Sequence, residues 1–286
     1  MKTSNRQQGV AIITALLIVA LAASTAAFMA WQQNLWLRQV ENLQDMVRAK
    51  SAALGGIDWA RDVGAIPVEE GAISGRIVDQ QGLFNLNNLV RDGRASEPDI
   101  ERFRRLLALL NLPQNLANAV TDWIDADNET RYPGGAEDID YLSREPASRA
   151  ANQMLTEVAD LYRVQGFDAA TIERLRPFVT ALPRHTDVNV NTAPAEVLAA
   201  LIPGLALNEA VQLVEARRSA YFKDQDDFAK RLPEHIKQFP REEVNVRSQY
   251  FLVLSHPRFG RVRAGFQALL ERDGAQWPRV VWRKDL

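Results

Sequence analysis

The chain has no cysteine, so disulfides, thiolate nucleophiles and thiolate metal sites are all excluded, although that absence names no compartment. Histidine is nearly absent as well. His185, His235 and His256 are the only three, far apart in sequence, and none stands in a His-Glu-x-x-His pattern. There is no Gly-x-Ser-x-Gly elbow, P-loop or dinucleotide fingerprint, so no catalytic reading survives from motifs. An excess of charge is also missing. With 34 basic and 36 acidic residues the net charge is −2, which argues against a polyanion as the main partner. Proline does not occur before Pro67.

What the first third has instead is one apolar run. Val10 to Trp31 holds 22 residues without charge, proline or glycine. As a helix it is roughly 33 Å long, enough to cross a hydrocarbon core of about 30 Å. Lys2 and Arg6 precede it and Arg38 is the first charge after it, which keeps the first nine residues cytoplasmic and sends the rest across the membrane. Trp31 and Trp36 stand where an interfacial aromatic belt is expected. The apolar pattern then continues as a stripe: Trp36, Val40, Leu43, Val47 and Leu54 follow at helical spacing, and the helix is expected to end near Asp62 to Gly64.

The junction ahead of the run reads Arg6-Gln7-Gln8-Gly9-Val10. A short basic leader ending in Gly and followed at once by an apolar helix resembles the processing site of type IV prepilins and pseudopilins. In that family a membrane peptidase cuts after the Gly and methylates the new N-terminus, here Val10. The rival is an ordinary secretory signal peptide cleaved near Ala22 to Ala27. A cleaved signal needs no amphipathic continuation, so the stripe beyond Trp31 favours the pilin-type rod. Most pilins carry Glu at the fifth mature position to neutralise the amine of the subunit ahead, whereas this chain has Thr14 there. Loss of that Glu is a mark of the K-type minor pseudopilin of type II secretion, and it implies a subunit with nothing ahead of it. Read without the resemblance, Thr14 is a polar residue back-bonding in a helix.

The remaining residues are enough for two moderate cores, and a head this large again resembles the K subunit. Ala72 to Asp79 reads as a first strand, entered through the extended Ala65-Ile66-Pro67. Between about Glu97 and Phe239 the pattern is helical, with helices expected at Ile100–Leu110, Gln114–Ile124, Ala147–Tyr162, Ala169–Val179, Pro194–Leu201, Leu207–Arg218 and Asp226–Lys230. An internal repeat runs through this region. Phe84-Asn85-Leu86-Asn87 matches Val188-Asn189-Val190-Asn191, and Leu110, Leu116, Ala119 and Val120 match Leu201, Leu207, Ala210 and Val211 at one fixed offset.

The second unit resembles a helix-hairpin-helix of DNA-uptake and repair proteins, but its hairpin, Pro203-Gly204-Leu205, lacks the second Gly. Glu209 and Glu215 also sit beside Arg217 and Arg218, so a compact helical module for protein contacts is the better reading. After Pro240 strand character returns at Gln249–Ser255, Arg261–Leu270 and Arg279–Arg283. The fold class is therefore α+β: a long N-terminal helix packed on a small antiparallel sheet, pilin-like, with a large inserted all-helical domain containing helix-hairpin-helix or SAM-like units. The corresponding segments are a leader over 1–9, a transmembrane half-helix over 10–31, a helix and first strand over 32–90, the helical insert over 91–243 and the C-terminal strands over 244–286.

One constellation carries chemistry. Asp122-Trp123-Ile124-Asp125-Ala126-Asp127-Asn128-Glu129 is followed by Pro133-Gly134-Gly135-Ala136-Glu137-Asp138. Asp122 and Asp125 share one helix face at its C-terminal end, where the macrodipole disfavours negative charge, and Arg131 alone is little compensation. Hard oxygen donors on a Gly-bearing loop suit Ca²⁺. The run is no EF-hand, since the sixth position counted from Asp125 is Thr130 and the twelfth is Ala136. It does resemble the calcium-binding segment of the K pseudopilins, which implies Asp125, Asp127 and Glu137 as ligands, with Asp122 and Asp138 beside them.

Taken over the whole chain, the resemblance to K-type minor pseudopilins implies a non-enzymatic protein at the tip of a periplasmic pseudopilus. It would be a single-pass protein of the bacterial inner membrane with its C-terminal domain in the periplasm. Its implied partners are the I- and J-type minor pseudopilins and the prepilin peptidase, with secreted substrates and the outer-membrane secretin beyond them, and no nucleic acid. The alternative is a periplasmic helix-hairpin-helix protein that binds DNA or acts as a metal-dependent hydrolase. N-terminal sequencing of the mature chain is expected to start at Val10, and Gly9→Leu to leave the precursor uncut. A start between Ala23 and Ala27 would mean signal peptidase instead.

Overall fold

The computed structural model describes residue 29 and residues 66–68, 71–259, 262–263, 265–273 and 278–286. Apart from Met29, the apolar run, the Gly9–Val10 junction, Thr14 and the amphipathic stripe with its expected end near Gly64 lie outside the described residues. Among the described residues no helix is long and apolar enough to cross a membrane. Two units divide the chain. One takes the described residues up to 76 with 253–268 and 283–286; the other takes 77–252 and 269–282.

Twelve strands appear among the described residues: β1 Ile66–Val68, β2 Gly71–Asp79, β3 Phe84–Asn85, β4 Val90–Arg91, β5 Arg94–Ala95, β6 Val179–Thr180, β7 Val188–Asn189, β8 Val244–Asn245, β9 Tyr250–Phe259, β10 Val262–Arg263, β11 Phe266–Glu271 and β12 Arg279–Asp285. In the largest sheet the hydrogen-bonded order is β1-β2-β9-β11-β12, with β10 paired to β9. Thus β2 and β9 are neighbours although residues 80–249 lie between them. The strands expected at Ala72–Asp79, Gln249–Ser255 and Arg279–Arg283 are present, the one expected over Arg261–Leu270 is divided between β10 and β11, and the stretch at Pro67, expected only to be extended, joins the sheet as β1 with Ile66 opposite Ile73. A Cβ on Gly75 would stand 2.5 Å from the Leu254 carbonyl oxygen, so only glycine allows that approach.

In the larger unit the helices are α1 Glu97–Leu109, α2 Leu116–Ile124, α3 Asp138–Leu142, α4 Ala169–Leu175, α5 Ala195–Leu201, α6 Leu207–Ser219 and α7 Gln225–Arg231. α1 starts where Pro98 fits the first turn and Glu97 and Asp99 meet the positive end of the dipole. It ends at Asn111, whose φ of 52° breaks the helix. Its apolar face, Ile100, Phe103, Leu106 and Leu107, is fully buried against α2 and α5. Phe84 stacks on Phe103 with ring centroids 5.4 Å apart.

The internal repeat is a repeat of hydrogen bonds. In the first copy Asn85 accepts from the Asn87 amide, and Asn87 donates its side-chain amide to the carbonyls of Leu155 and Leu182 while accepting from the Leu155 amide. In the second copy Asn189 accepts from the Asn191 amide; Asn191 donates to the carbonyl of Phe222 and accepts from its amide. Each Asn pair sits where a two-residue parallel ladder ends, β3 with β6 and β7 with β8. The apolar-Asn-apolar-Asn pattern therefore places a side-chain amide just past each ladder, where it satisfies backbone groups of neighbouring segments.

Two expected helices are shorter than the pattern suggested. Ala147–Tyr162 is not a helix; only Val158–Arg163 forms a 3-10 turn. Its backbone is taken by other partners: the Ala150 amide goes to Asp138, the Asn152 amide to the Trp123 carbonyl and both polar groups of Leu155 to Asn87. α4 stops at Leu175 because Pro177 has no amide to continue it, and the chain passes into β6. α3 was not expected at all.

A charge network of the buried Asp99, Arg102 and Glu243 with the exposed Arg91 fixes α1 to the start of β8. Arg91 reaches Asp99 at 2.8 Å and Glu243 at 2.6 Å, while Arg102 reaches Asp99 at 2.6 Å and Glu243 at 3.4 Å. Burial pushes the Glu243 carboxyl up, but hydrogen bonds from His185 and Arg91 and the Arg102 charge outweigh it and hold the group at about 2. A depressed carboxyl stabilises the fold above its ordinary range and loses that contribution as pH falls towards 2. Glu243→Gln is expected to cost about 3 kcal/mol at pH 7, the scale of breaking a buried pair, and to flatten stability between pH 4.5 and 2, read by urea unfolding.

Candidate metal centre

α2 delivers the acidic run. Its last turn holds Asp122 fully buried, and Asp125 follows as the C-terminal cap, its amide bonded to the Thr121 carbonyl. From Asp125 the chain loops out through the exposed Asp127, which accepts from the Glu129 amide at 2.8 Å. It returns at Arg131, whose amide donates to Asp122 Oδ2 at 2.9 Å. Tyr132–Pro133 is a cis peptide, and Gly134 has a φ of 89°. Gly135 then passes so close to Asp122 Oδ2 and the Arg131 carbonyl that a Cβ would overlap both. The chain arrives at Glu137, 2 % exposed, just ahead of α3. α3 is held by Asp140, which accepts from the Glu137 amide at 3.0 Å, and by the Trp123–Tyr141 edge contact at 5.0 Å.

Folding in this way collects Asp125, Asp127 and Glu137, with one ligand oxygen from each within 4.8 Å of the others. Asp122 lies beside them. Asp138 points elsewhere, since one oxygen accepts from the Ala150 amide at 3.1 Å and the other stands 3.9 Å from Arg149. Four buried oxygens have no donor: Asp122 Oδ1, Asp125 Oδ1 and both oxygens of Glu137. Arg131 offers little, its Nε being 3.9 Å from Asp122 while its Nη1 bonds Glu97 at 2.7 Å.

The electrostatics follow. Burial pushes Asp122 up to about 6, against the Arg131 amide bond. Burial and the charges of Asp127 and Asp122 push Asp125 to about 7. Burial, then Asp122 and Asp125, push Glu137 to about 8. An acceptor-only set of buried oxygens without donors fits a hard cation that takes six to eight oxygens.

The hairpin between α5 and α6 offers no comparable charge. Arg217 turns inward to the Val190 carbonyl at 2.6 Å, and Glu209 caps the Ala206 amide at 3.0 Å. A second ligand group, His185, Asp187 and Glu243, escaped the sequence reading. His185 is far in sequence from the other histidines, but its neighbours in space are carboxylates, one of them Glu243 far along the chain.

The family of type II secretion system protein K matches residues 82–184 and 188–239. Type II secretion system protein K of Pseudomonas aeruginosa is 35 % identical over 97 % of this chain and 92 % of its own length. The chain belongs to the protein K family. The Klebsiella pneumoniae member is 30 % identical over 95 % of this chain and 94 % of its own. In fold the chain is similar to a solved structure described as the GspK-GspI-GspJ complex of the enterotoxigenic Escherichia coli type 2 secretion system. The TM-score is 0.71 at 24 % identity, covering 89 % of this chain and 99 % of that one.

Protein K membership makes the chain a minor pseudopilin, a structural component of type II secretion in the cell envelope and not an enzyme. The hydrolase alternative is thereby set aside.

A carboxyl whose folded pKa is raised stabilises the fold below its ordinary range and loses that contribution as pH rises through the folded value. In chelator, then, the chain is expected to melt higher at pH 5 than at pH 8.5, with the loss running from the ordinary carboxylate range near pH 4 up to about 8. Asp125→Asn should recover about 2 kcal/mol in chelator at pH 8.5, the cost of one buried unpaired charge, as read by calorimetry.

Proposed function

We propose that this chain caps the tip of the pseudopilus and starts its assembly together with I- and J-type minor pseudopilins. The observation that carries the reading is identity to a protein K over nearly the whole chain. The I and J partners come from the composition of the similar solved complex. Thr14 agrees with a tip position, because a subunit with nothing ahead of it has no amine for a Glu to meet. In this reading the prepilin peptidase cuts at Gly9–Val10, and residues 10–31 stay in the inner membrane. The long helix continues to the sheet, and the helical insert with its helix-hairpin-helix or SAM-like units faces the periplasm, open to secreted proteins and the secretin. No nucleic acid enters.

Calcium completes the reading. Asp125, Asp127 and Glu137 would hold Ca²⁺, with Asp122 supplying an oxygen and Asp138 bracing the loop. The ion would supply no chemistry beyond charge, satisfying oxygens that are otherwise buried without donors.

Cross-linking between copies along the pseudopilus is expected to find this subunit once, at one end, and Thr14→Glu to leave assembly unchanged. Repetition along the shaft would overturn the tip assignment. At a hundredfold excess over Kd, calcium should add about 2.7 kcal/mol of stability. Asp127→Ala should abolish that difference between calcium and chelator, whereas changing Glu173, exposed and paired with Arg176, should not.

A further inference from the structure

His185 and Asp187 lead into β7, and Glu243 leads into β8, so the parallel pair opens on three metal-ligating side chains. His185 Nε2 stands 3.2 Å from Glu243 Oε2, and one ligand atom from each of the three lies within 4.8 Å of the others. Arg91 and Arg102 engage the opposite oxygen, Oε1, at 2.6 and 3.4 Å. They fix the carboxylate in place and leave Oε2 turned to the imidazole, as an outer shell does around a ligating carboxylate. Asp187, by contrast, has its backbone held by Gln81, whose side chain donates to the Asp187 carbonyl at 3.4 Å.

His185 and Asp187 line a cavity of about 910 Å³. The other carboxylate there, Asp79, is saturated: it accepts from Asn189, Thr192, Ser248 and the Gln81 amide at 3.0, 2.6, 2.7 and 2.9 Å. It therefore bonds the cavity wall together, which leaves Asp187, with one side-chain hydrogen bond from Asn245, as the other carboxylate on the lining. Three carboxylates, Asp99, Glu243 and Asp187, stand here among two guanidinium groups, Arg91 and Arg102.

We propose that His185, Asp187 and Glu243 form a second cation site, for a divalent transition metal of the zinc class. Its fourth coordination position faces the cavity and holds water. One nitrogen and two carboxylates suit such an ion, whereas calcium prefers oxygen alone. The ion staples the entrance of β7 to the entrance of β8, tying the second helical unit to the returning chain. The proposal stands apart from the acidic run and from the tip assignment.

The test uses the full chain in detergent, with saturating Ca²⁺ to fill the acidic run, titrated with Zn²⁺ by calorimetry and with Co²⁺ by absorption. One equivalent is expected to bind, with the stronger visible bands of four- or five-coordinate cobalt. His185→Gln and Asp187→Asn should each weaken binding at least tenfold with unchanged circular dichroism, while Asp127→Ala and His235→Gln keep it. No stoichiometric zinc binding by the calcium-saturated chain would overturn the proposal, as would undiminished binding by His185→Gln or loss in Asp127→Ala. Should both triad variants fail to fold, the cobalt spectrum of the unmodified chain decides, and the weak bands of a six-coordinate ion would count against the site.

Discussion

The asparagine side-chain amide, buried at Asn87 and half-buried at Asn191, is the interaction on which the helical region depends. Asn87 and Asn191 each occupy the place where a short parallel ladder gives out, and each reaches backbone groups of segments distant in sequence. An amide both donates and accepts, so it can hold a neighbouring amide and a carbonyl at once; an apolar residue of the same volume would leave both stranded. Because both copies use the same device, the two helical units are alike in how they are closed as well as in their helices. Around these closures the apolar faces of α1, α2 and α5 merge into one continuous core.

Electrostatics sets two opposite situations within that core. At Glu243 the carboxylate is buried together with guanidinium groups and stays ionised with ease. At Asp122, Asp125 and Glu137 carboxylates are buried largely with one another, and ionisation is resisted. In the first arrangement the carboxylate oxygens meet donors, whereas in the second four buried oxygens meet none. Both lie in one unit, and neither has a catalytic geometry, in keeping with a protein whose work is assembly.

Much of this was legible in the sequence, for identifiable reasons. β2, β9, α1 and α5 to α7 follow from periodicity because their apolar faces are built locally. The repeat was legible because the Asn pairs recur at matching places. The grouping of Asp125, Asp127 and Glu137 was legible because all three come from one loop. What could not be read depends on contacts across the chain. Ala147–Tyr162 has helical composition, yet its amides and carbonyls are claimed by Asp138, Trp123 and Asn87. Asp138 looks like another ligand in the sequence and is turned away by its bond to Ala150. The grouping of His185 with Glu243 depends on β7 meeting β8, which no local pattern announces.

The two short parallel ladders also constrain the order of events in folding. β3 meets β6 across a loop from residue 84 to 179, and β7 meets β8 across one from 188 to 244. Closing flexible loops of those lengths costs roughly 4 kcal/mol each in chain entropy. Ladders two residues long, with hydrogen bonds worth about 1 kcal/mol apiece, cannot meet that cost unaided. The helices between must already have drawn the ends together, so each ladder acts as a late clasp on a preassembled helical unit and not as its nucleus.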